Sequence, residues 1–452
     1  MKIKKISCLV LATSMIMGLV GCGKTVGTTS TDNKKPIEIV FWHAMAGVNG
    51  QGITTLVENF NKSNKDIHVT AQFQGTYDDE LTKLKTAMQG KAGPDVCQVY
   101  DIGSRYMIDG GWVVPVQKYI DSDKYDKTKI EPNLLSYYTI DNKLWSMPFN
   151  SSTPILYYNK TAFKEAGLDP NVAPKTFKEV EEYAAKLVKK DNSGNVTQYG
   201  FSMAIYGWFF EQLIAKQGQL YTNNNNGRTD RATAVEFEKN GAGLNILKQW
   251  QTLIKSGNVG NFGRKTDDTK NAFSAGRSAM ILESTGALNG LTKGAGGRFE
   301  IGTAFIPSLN DSKDGGVIIG GGSLWMIDNK NIDKEKATWE FIKYMSQPKQ
   351  QVFWSKTSGY FPTNVGAYDL EEMKTHLKAN PNFQTAVNQL HQTPTNYNTQ
   401  GACIGVFSEA RSTIETNIEK MLQNKQTPEV TIKTAATTIN SAIDNYNKTN
   451  TK

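Results

Sequence analysis

Cysteine and histidine are scarce, with 4 of each in a chain of 452 residues. Cys8, Cys22, Cys97 and Cys403 show no spacing that resembles a metal-ligand set. His43, His68, His376 and His391 are scattered, and each suits a surface or packing position better than a catalytic base. Neither a Gly-x-Ser-x-Gly elbow nor a His-Glu-x-x-His pair occurs, so the signatures of serine hydrolases and zinc proteases are missing. Adjacent acids such as Asp78-Asp79 and Glu371-Glu372 point in different directions and make poor acid–base pairs. Beyond residue 20 no apolar run approaches the ~20 residues that a membrane helix needs. Basic tracts never exceed a few residues, and Lys is interleaved with Asp and Glu, which argues against nucleic acid as a partner. Internal repeats and sustained heptads are also missing.

What is present is enough for two cores. Single cores stop growing at ~250–300 residues, so two lobes are expected. A hydrophobic fraction of 38% with 8 Trp, 18 Tyr and 19 Phe excludes disorder of the whole chain. At the N-terminus Lys2, Lys4 and Lys5 precede an apolar run at 6–20 that is too short to span a bilayer stably. The run ends in Leu19-Val20-Gly21-Cys22, which looks like a bacterial lipobox, with Cys22 acylated after cleavage. A plain signal peptide with an incidental cysteine is the alternative. Residues 23–35, rich in Gly, Thr, Ser and Lys, read as a flexible tether. The string Gly18 to Thr25 fits a P-loop, but it straddles the cleavage site and leads into the tether, so no strand and helix frame it. The net charge of +8 falls to +5 when Lys2, Lys4 and Lys5 are removed, and a mildly basic surface suits an anionic solute or envelope. Cys97 and Cys403 lie more than 300 residues apart among apolar or small neighbours, and read as buried free thiols, with a bridge open in an oxidising compartment.

Periodicity gives an alternation of strand and helix. Residues 37–41, 67–73 and 95–100 are β-branched and aromatic runs. Between them, Ile53, Leu56, Val57 and Phe60 recur at helical spacing, and Tyr77 opens a helix carrying Leu81, Leu84 and Met88. Thr176-Phe177-Lys178-Glu179 is a capping-box string. Residues 223–226 read as a surface loop, 301–306 as a strand, 337–344 as a helix, and Thr427-Pro428 as the start of a last helix. This alternation indicates an α/β chain with mostly parallel sheets flanked by helices.

The segment 147–160 is the most informative. Pro148 and Pro154 bias their predecessors to extended backbone around Asn150-Ser151-Ser152-Thr153, and an apolar strand follows at 155–158. Such a stretch suits a crossing between lobes whose hydroxyls and amide face a ligand; it suits a polar loop before an edge strand equally well. Ser284-Thr285-Gly286 follows an apolar strand and precedes a helix, so its amides and hydroxyls could hold phosphate. Gly320-Gly321-Gly322 permits close approach of backbone to a ligand. Gly359-Tyr360-Phe361-Pro362 presents a phenol, and Arg411 could pair bidentately with a phosphoryl group.

From residue 38 to the C-terminus the chain resembles the extracellular solute-binding proteins of ABC importers, specifically the glycerol-3-phosphate binders. The resemblance rests on Phe41-Trp42-His43-Ala44-Met45, Gly75-Thr76-Tyr77, Gln98-Val99-Tyr100-Asp101, the crossing segment, Gly263-Arg264-Lys265, the Gly320-Gly321-Gly322-Ser323-Leu324-Trp325 run and Lys356-Thr357-Ser358-Gly359-Tyr360. It implies a two-lobed periplasmic-binding-protein-like fold with the ligand cleft between the lobes. One lobe would hold 36–147 and 306–355, the other 148–305 and 356–452, with hinges near 145–150, 300–306 and 350–356. Tyr77 and Asp101 would bind glycerol hydroxyls; Ser152, Ser284, Gly321, Tyr360 and Arg411 would hold the phosphate or line the cleft. The implied partners are ABC permease subunits and, through Cys22, the membrane; the implied state is a monomer that performs no chemistry and needs no cofactor or metal. Two departures stand out: Asp101 replaces the usual Glu, and Ile205 stands where relatives carry Trp, with Trp208 nearby. Smaller side chains there imply a cleft open to glycerophosphodiesters such as glycerophosphocholine. A neutral oligosaccharide binder and a secreted phosphodiester-acting enzyme are the competing readings.

Overall fold

The computed structural model describes residues 35–310 and 312–450. The lipobox with Cys22, the P-loop-like string and nearly all of the tether lie outside the described residues.

The first sheet is built on Ile37–His43, whose side chains alternate in burial so that Ile39, Phe41 and His43 face inward. Ile67–Phe73 and Val96–Tyr100 pair with it in parallel on either side. Helix Gly47–Ser63 connects the first two strands and buries Ile53, Leu56, Val57 and Phe60, the face its spacing predicts. The next helix, Tyr77–Gln89, starts at a capping box between Thr76 and Asp79, with backbone-to-side-chain hydrogen bonds of 3.2 and 2.9 Å in opposite directions. Gly320–Ile327 then inserts antiparallel beside Val96–Tyr100 and carries Val113–Val114 and Met147–Ser152 on its other edge.

The second sheet runs Val259–Gly260, Phe201–Ser202, Met280–Ser284, Pro154–Asn159, Ile301–Ala304. Thr153 therefore joins a strand of one sheet, Met147–Ser152, directly to a strand of the other, Pro154–Asn159. Both sheets are mixed. They are parallel where helices return the chain, and antiparallel where strands arrive from the other sheet. A strand that crosses without a helical return has nothing to reverse its direction.

One local expectation changes. Residues 223–226 are not a plain surface loop: Asn224, Asn225 and Asn226 all take left-handed φ of 52–62°, and the Asn226 side chain is buried. Its Oδ1 accepts from the amides of Tyr221 and Thr222 at 2.8 and 3.0 Å, and its Nδ2 donates to the Tyr397 carbonyl at 2.7 Å. Asparagine tolerates this backbone better than most residues, so the run is a packed turn. Gly320, Gly321 and Gly322 are the first three residues of strand Gly320–Ile327. Cys97 and Cys403 are free and buried. The last helix, Pro428–Asn450, buries Ile432, Ala436, Ile439 and Ile443, packing along Phe407–Leu422. Among the described residues no helix is long and apolar enough to cross a membrane.

Candidate ligand cleft

Helix Phe407–Leu422 carries Arg411 on its buried face, 6% exposed. The aliphatic stem of Arg411 lies where Gly207 leaves room: a Cβ there would stand 2.9 Å from Arg411 Cγ. Arg411 donates Nε and Nη2 to the two carboxylate oxygens of Glu211 at 2.6 and 2.8 Å, and Nη2 also to Asp101 Oδ2 at 3.3 Å. The rings of Tyr206 and Phe407 lie 5.6 Å from the guanidinium carbon. Burial works against the Arg411 charge, but the carboxylates of Glu211 and then Asp101 outweigh it and push its pKa further up. Burial raises Asp101 to about 7; Arg411 pulls it down and Glu211 pushes it up. Burial also raises Glu211, against the opposing pull of Arg411.

A second group sits at the crossing. Tyr77 stacks on Tyr100 with centroids 5.2 Å apart. Its hydroxyl accepts from Asn150 Nδ2 at 2.7 Å, and Asn150 Oδ1 accepts from Gln98 Nε2 at 2.7 Å. Tyr360 brings its hydroxyl to Asn150 and Tyr77, and its ring lies parallel to Trp354. Burial raises both phenols, so each remains a hydrogen-bond donor. Gly286 makes room for Tyr360, since a Cβ there would stand 2.8 Å from the phenol carbon Cζ. Ser284 Oγ accepts from the Gly286 amide at 3.1 Å, which orients the turn against Tyr360.

Ser152 is 2% exposed and pairs with Gly320; Gly321 pairs with Ser151. The glycines have a packing reason. Gly321 has φ +93°, and a Cβ would fall 1.8 Å from the Asn150 carbonyl oxygen; at Gly320 it would fall 2.5 Å from the Trp208 ring. The close approach is thus of protein to protein. Ser151 Oγ, Trp208 Nε1 and Thr285 Oγ1 are buried without hydrogen-bond partners. Leaving such groups unmet costs about 1–3 kcal/mol each.

The seven residues that the sequence singles out fall into two groups, Asp101 with Arg411 and Tyr77 with Tyr360 and the crossing strands, and of the seven Arg411 alone lines the cavity of about 820 Å³. Asp101 and Arg411 touch directly, Tyr77 lies within electrostatic reach of Asp101 and Tyr360, Ser152 and Gly321 sit in the paired crossing strands, and Ser284 caps the turn beside Tyr360. Ile205 is buried at 1% exposure, and Trp208 packs on Gly320. Sequence reasoning missed Glu211. Its signal is an acid inside Gly207–Lys216, a helix otherwise buried through Ala215, where a lone carboxylate requires a buried partner. Arg411 and Tyr206 open onto a cavity of about 820 Å³. Among the described residues no group of three or more His, Cys, Asp or Glu could hold a metal ion.

The profile of the bacterial extracellular solute-binding proteins matches residues 55–385. The sn-glycerol-3-phosphate-binding periplasmic protein UgpB of Yersinia enterocolitica is 32% identical over 421 residues, covering 91% of this chain and 94% of that one. Its counterpart in Escherichia coli is 30% identical over 445 residues, covering 97% and 98%. Among solved structures, UgpB from Mycobacterium tuberculosis in complex with glycerophosphocholine superposes with a TM-score of 0.76 at 22% identity, covering 91% of this chain and 98% of that one. The cyclic alpha-maltosyl-1,6-maltose binding protein of Arthrobacter globiformis superposes with a TM-score of 0.72 at 23% identity, covering 91% and 100%. Likeness at that level speaks to the two-lobed fold alone, which hosts both kinds of ligand. By the extent of the profile and of its relatives, the chain belongs to the bacterial extracellular solute-binding proteins.

Proposed function

We propose that the protein is the solute-binding component of an ABC importer and that it captures glycerol-3-phosphate or a glycerophosphodiester such as glycerophosphocholine. The observation that carries this reading is the buried Arg411 at the edge of a hydroxyl-rich crossing, in a chain whose relatives across nine-tenths of its length bear the name glycerol-3-phosphate-binding protein. The two carboxylates fix the guanidinium plane through Nε and Nη2, which leaves Nη1 for a phosphoryl oxygen. Tyr77 and Asp101 take glycerol hydroxyls, while Ser152, Ser284, Gly321 and Tyr360 line the ligand. Residues 36–147 with 306–355, and 148–305 with 356–452, act as the two lobes. They close about the segments near 145–150, 300–306 and 350–356. Membrane permease subunits then recognise the closed monomer, held at the extracytoplasmic face by a lipid on Cys22. The ligand leaves unaltered, and no cofactor takes part. Mass spectrometry of the ligand that copurifies, and of added glycerophosphocholine after incubation, tests this: the expected result is an intact phosphorylated polyol. A hydrolysed product would favour a phosphodiester-acting enzyme.

A neutral-oligosaccharide reading draws on one observation, the pairing of Arg411 with both Glu211 and Asp101, which offsets its charge. It predicts oligosaccharide binding that is indifferent to Arg411.

A further inference from the structure

The cavity beside Arg411 carries more aromatic surface and more negative charge than a phosphate alone would select. Tyr106, Trp112 and Tyr446 form one wall of it. Tyr106 and Trp112 meet edge to face at 5.7 Å, and Tyr446 donates its hydroxyl to Asp109 Oδ2 at 3.1 Å, which fixes its ring. On the Arg411 side, Tyr100 donates to Asp78 Oδ1 at 2.7 Å, and the Glu415 carboxylate accepts from the Gly207 amide at 2.8 Å. Asp78, Glu415 and Glu409 all line the cavity, against Lys85 and an Arg411 already paired with two carboxylates. The lining is thus poor in free cations and rich in ring surface. A primary ammonium would be served by the carboxylates through N–H donors. A quaternary ammonium has no N–H, and is held instead by ring faces with diffuse negative charge behind them. The volume of about 820 Å³ leaves room for such a group attached to a small ligand.

We propose that this cavity is a subsite for a quaternary ammonium group, and that the preferred ligand is a zwitterion with its phosphate on Arg411 and its trimethylammonium among Tyr106, Trp112 and Tyr446. The proposal rests on the reading of Arg411 as the phosphate anchor. It goes beyond that reading by assigning the far end of the ligand and by ranking diester over monoester. Trp112 and Tyr106 are part-exposed at the rim, so their replacement leaves the cores intact.

The test is calorimetric titration of the full chain with glycerophosphocholine, glycerophosphoethanolamine and glycerol-3-phosphate, repeated on Trp112→Ala and Trp112→Phe. Glycerophosphocholine should bind tightest. Trp112→Ala should weaken it about tenfold, Trp112→Phe much less, and neither variant should change glycerol-3-phosphate binding. Equal affinity for the choline and ethanolamine diesters, or an equal loss for all three ligands in Trp112→Ala, would overturn the subsite while leaving the phosphate reading intact. Failure of all three esters to bind the unaltered protein would overturn both.

Discussion

Arg411 and Glu211 form a bidentate pair, Nε to Oε1 at 2.6 Å and Nη2 to Oε2 at 2.8 Å, with both side chains almost wholly buried. The pair ties helix Phe407–Leu422 to helix Gly207–Lys216, so it has a structural consequence as well as a functional one. Breaking a buried pair by removing one partner costs about 3–5 kcal/mol, while replacing both by apolar groups of similar volume is often neutral. Glu211→Ala should therefore lower the midpoint of chemical denaturation markedly, and Glu211→Met combined with Arg411→Met should restore most of it. A double variant as unstable as the single one would contradict this.

Asp101 makes the cleft sensitive to pH. Its carboxyl is raised to about 7 from an ordinary 3.8, by burial first, with Arg411 opposing and Glu211 adding. The folded protein thus keeps a proton that the unfolded chain has released. This contribution to stability is full below about pH 4 and is lost as pH rises through 7. Asp101→Asn should flatten the fall in stability between pH 5 and pH 8, as measured by urea unfolding. Affinity should follow the same proton, because a charged Asp101 repels a phosphate near Arg411. A phosphodiester keeps one charge across this range, so it isolates the protein's own titration. Its affinity should fall roughly tenfold from pH 6 to pH 8, the effect of one like charge at a partly screened site. A flat profile would exclude Asp101 from the ligand's surroundings.

Gly321 is fixed by the crossing rather than by the ligand. Its φ of +93° and the 1.8 Å approach of a would-be Cβ to the Asn150 carbonyl leave no space for a side chain. Gly321→Ala should destabilise the protein by about 3 kcal/mol or more, combining left-handed strain with a backbone shift. Thermal unfolding of ligand-free protein reads this directly; an unchanged midpoint would show that the strands yield.

The proposed membrane attachment through Cys22 is tested by a simple separation. Cys22→Ser should move the protein from the membrane fraction to the medium or the soluble extracytoplasmic fraction without altering ligand affinity. Retention of the variant in the membrane fraction would assign the anchoring elsewhere.

Much of the architecture was legible because it is written locally. The capping box at Thr176 marks the start of Phe177–Leu187, the spacing of Leu81, Leu84 and Met88 marks Tyr77–Gln89, and the proline-bounded segment 147–160 marks the crossing. Arg411 was singled out by its residue type and Tyr77 by the resemblance, but neither as a partner of Glu211, Tyr100 or Asn150. These contacts join positions as much as 200 residues apart and leave no periodic trace. The direction of the crossing strands was equally hidden, since alternation of strand and helix implies parallel pairing only where a helix makes the return. The glycine triplet was legible as a place of close approach but not for what approaches it there. A chain without Cβ atoms admits a ligand or another strand alike, and here Asn150 and Trp208 take the space.

The most direct measurement is calorimetric titration of glycerol-3-phosphate and glycerophosphocholine into the unaltered protein and into Arg411→Ala, with circular dichroism to confirm that the variant is folded. Loss of one partner of a buried charge-assisted phosphate contact costs about 2–5 kcal/mol. The account predicts saturable binding to the unaltered protein and a loss of affinity of about thirtyfold or more in the variant. Equal affinity in a folded Arg411→Ala protein would contradict it.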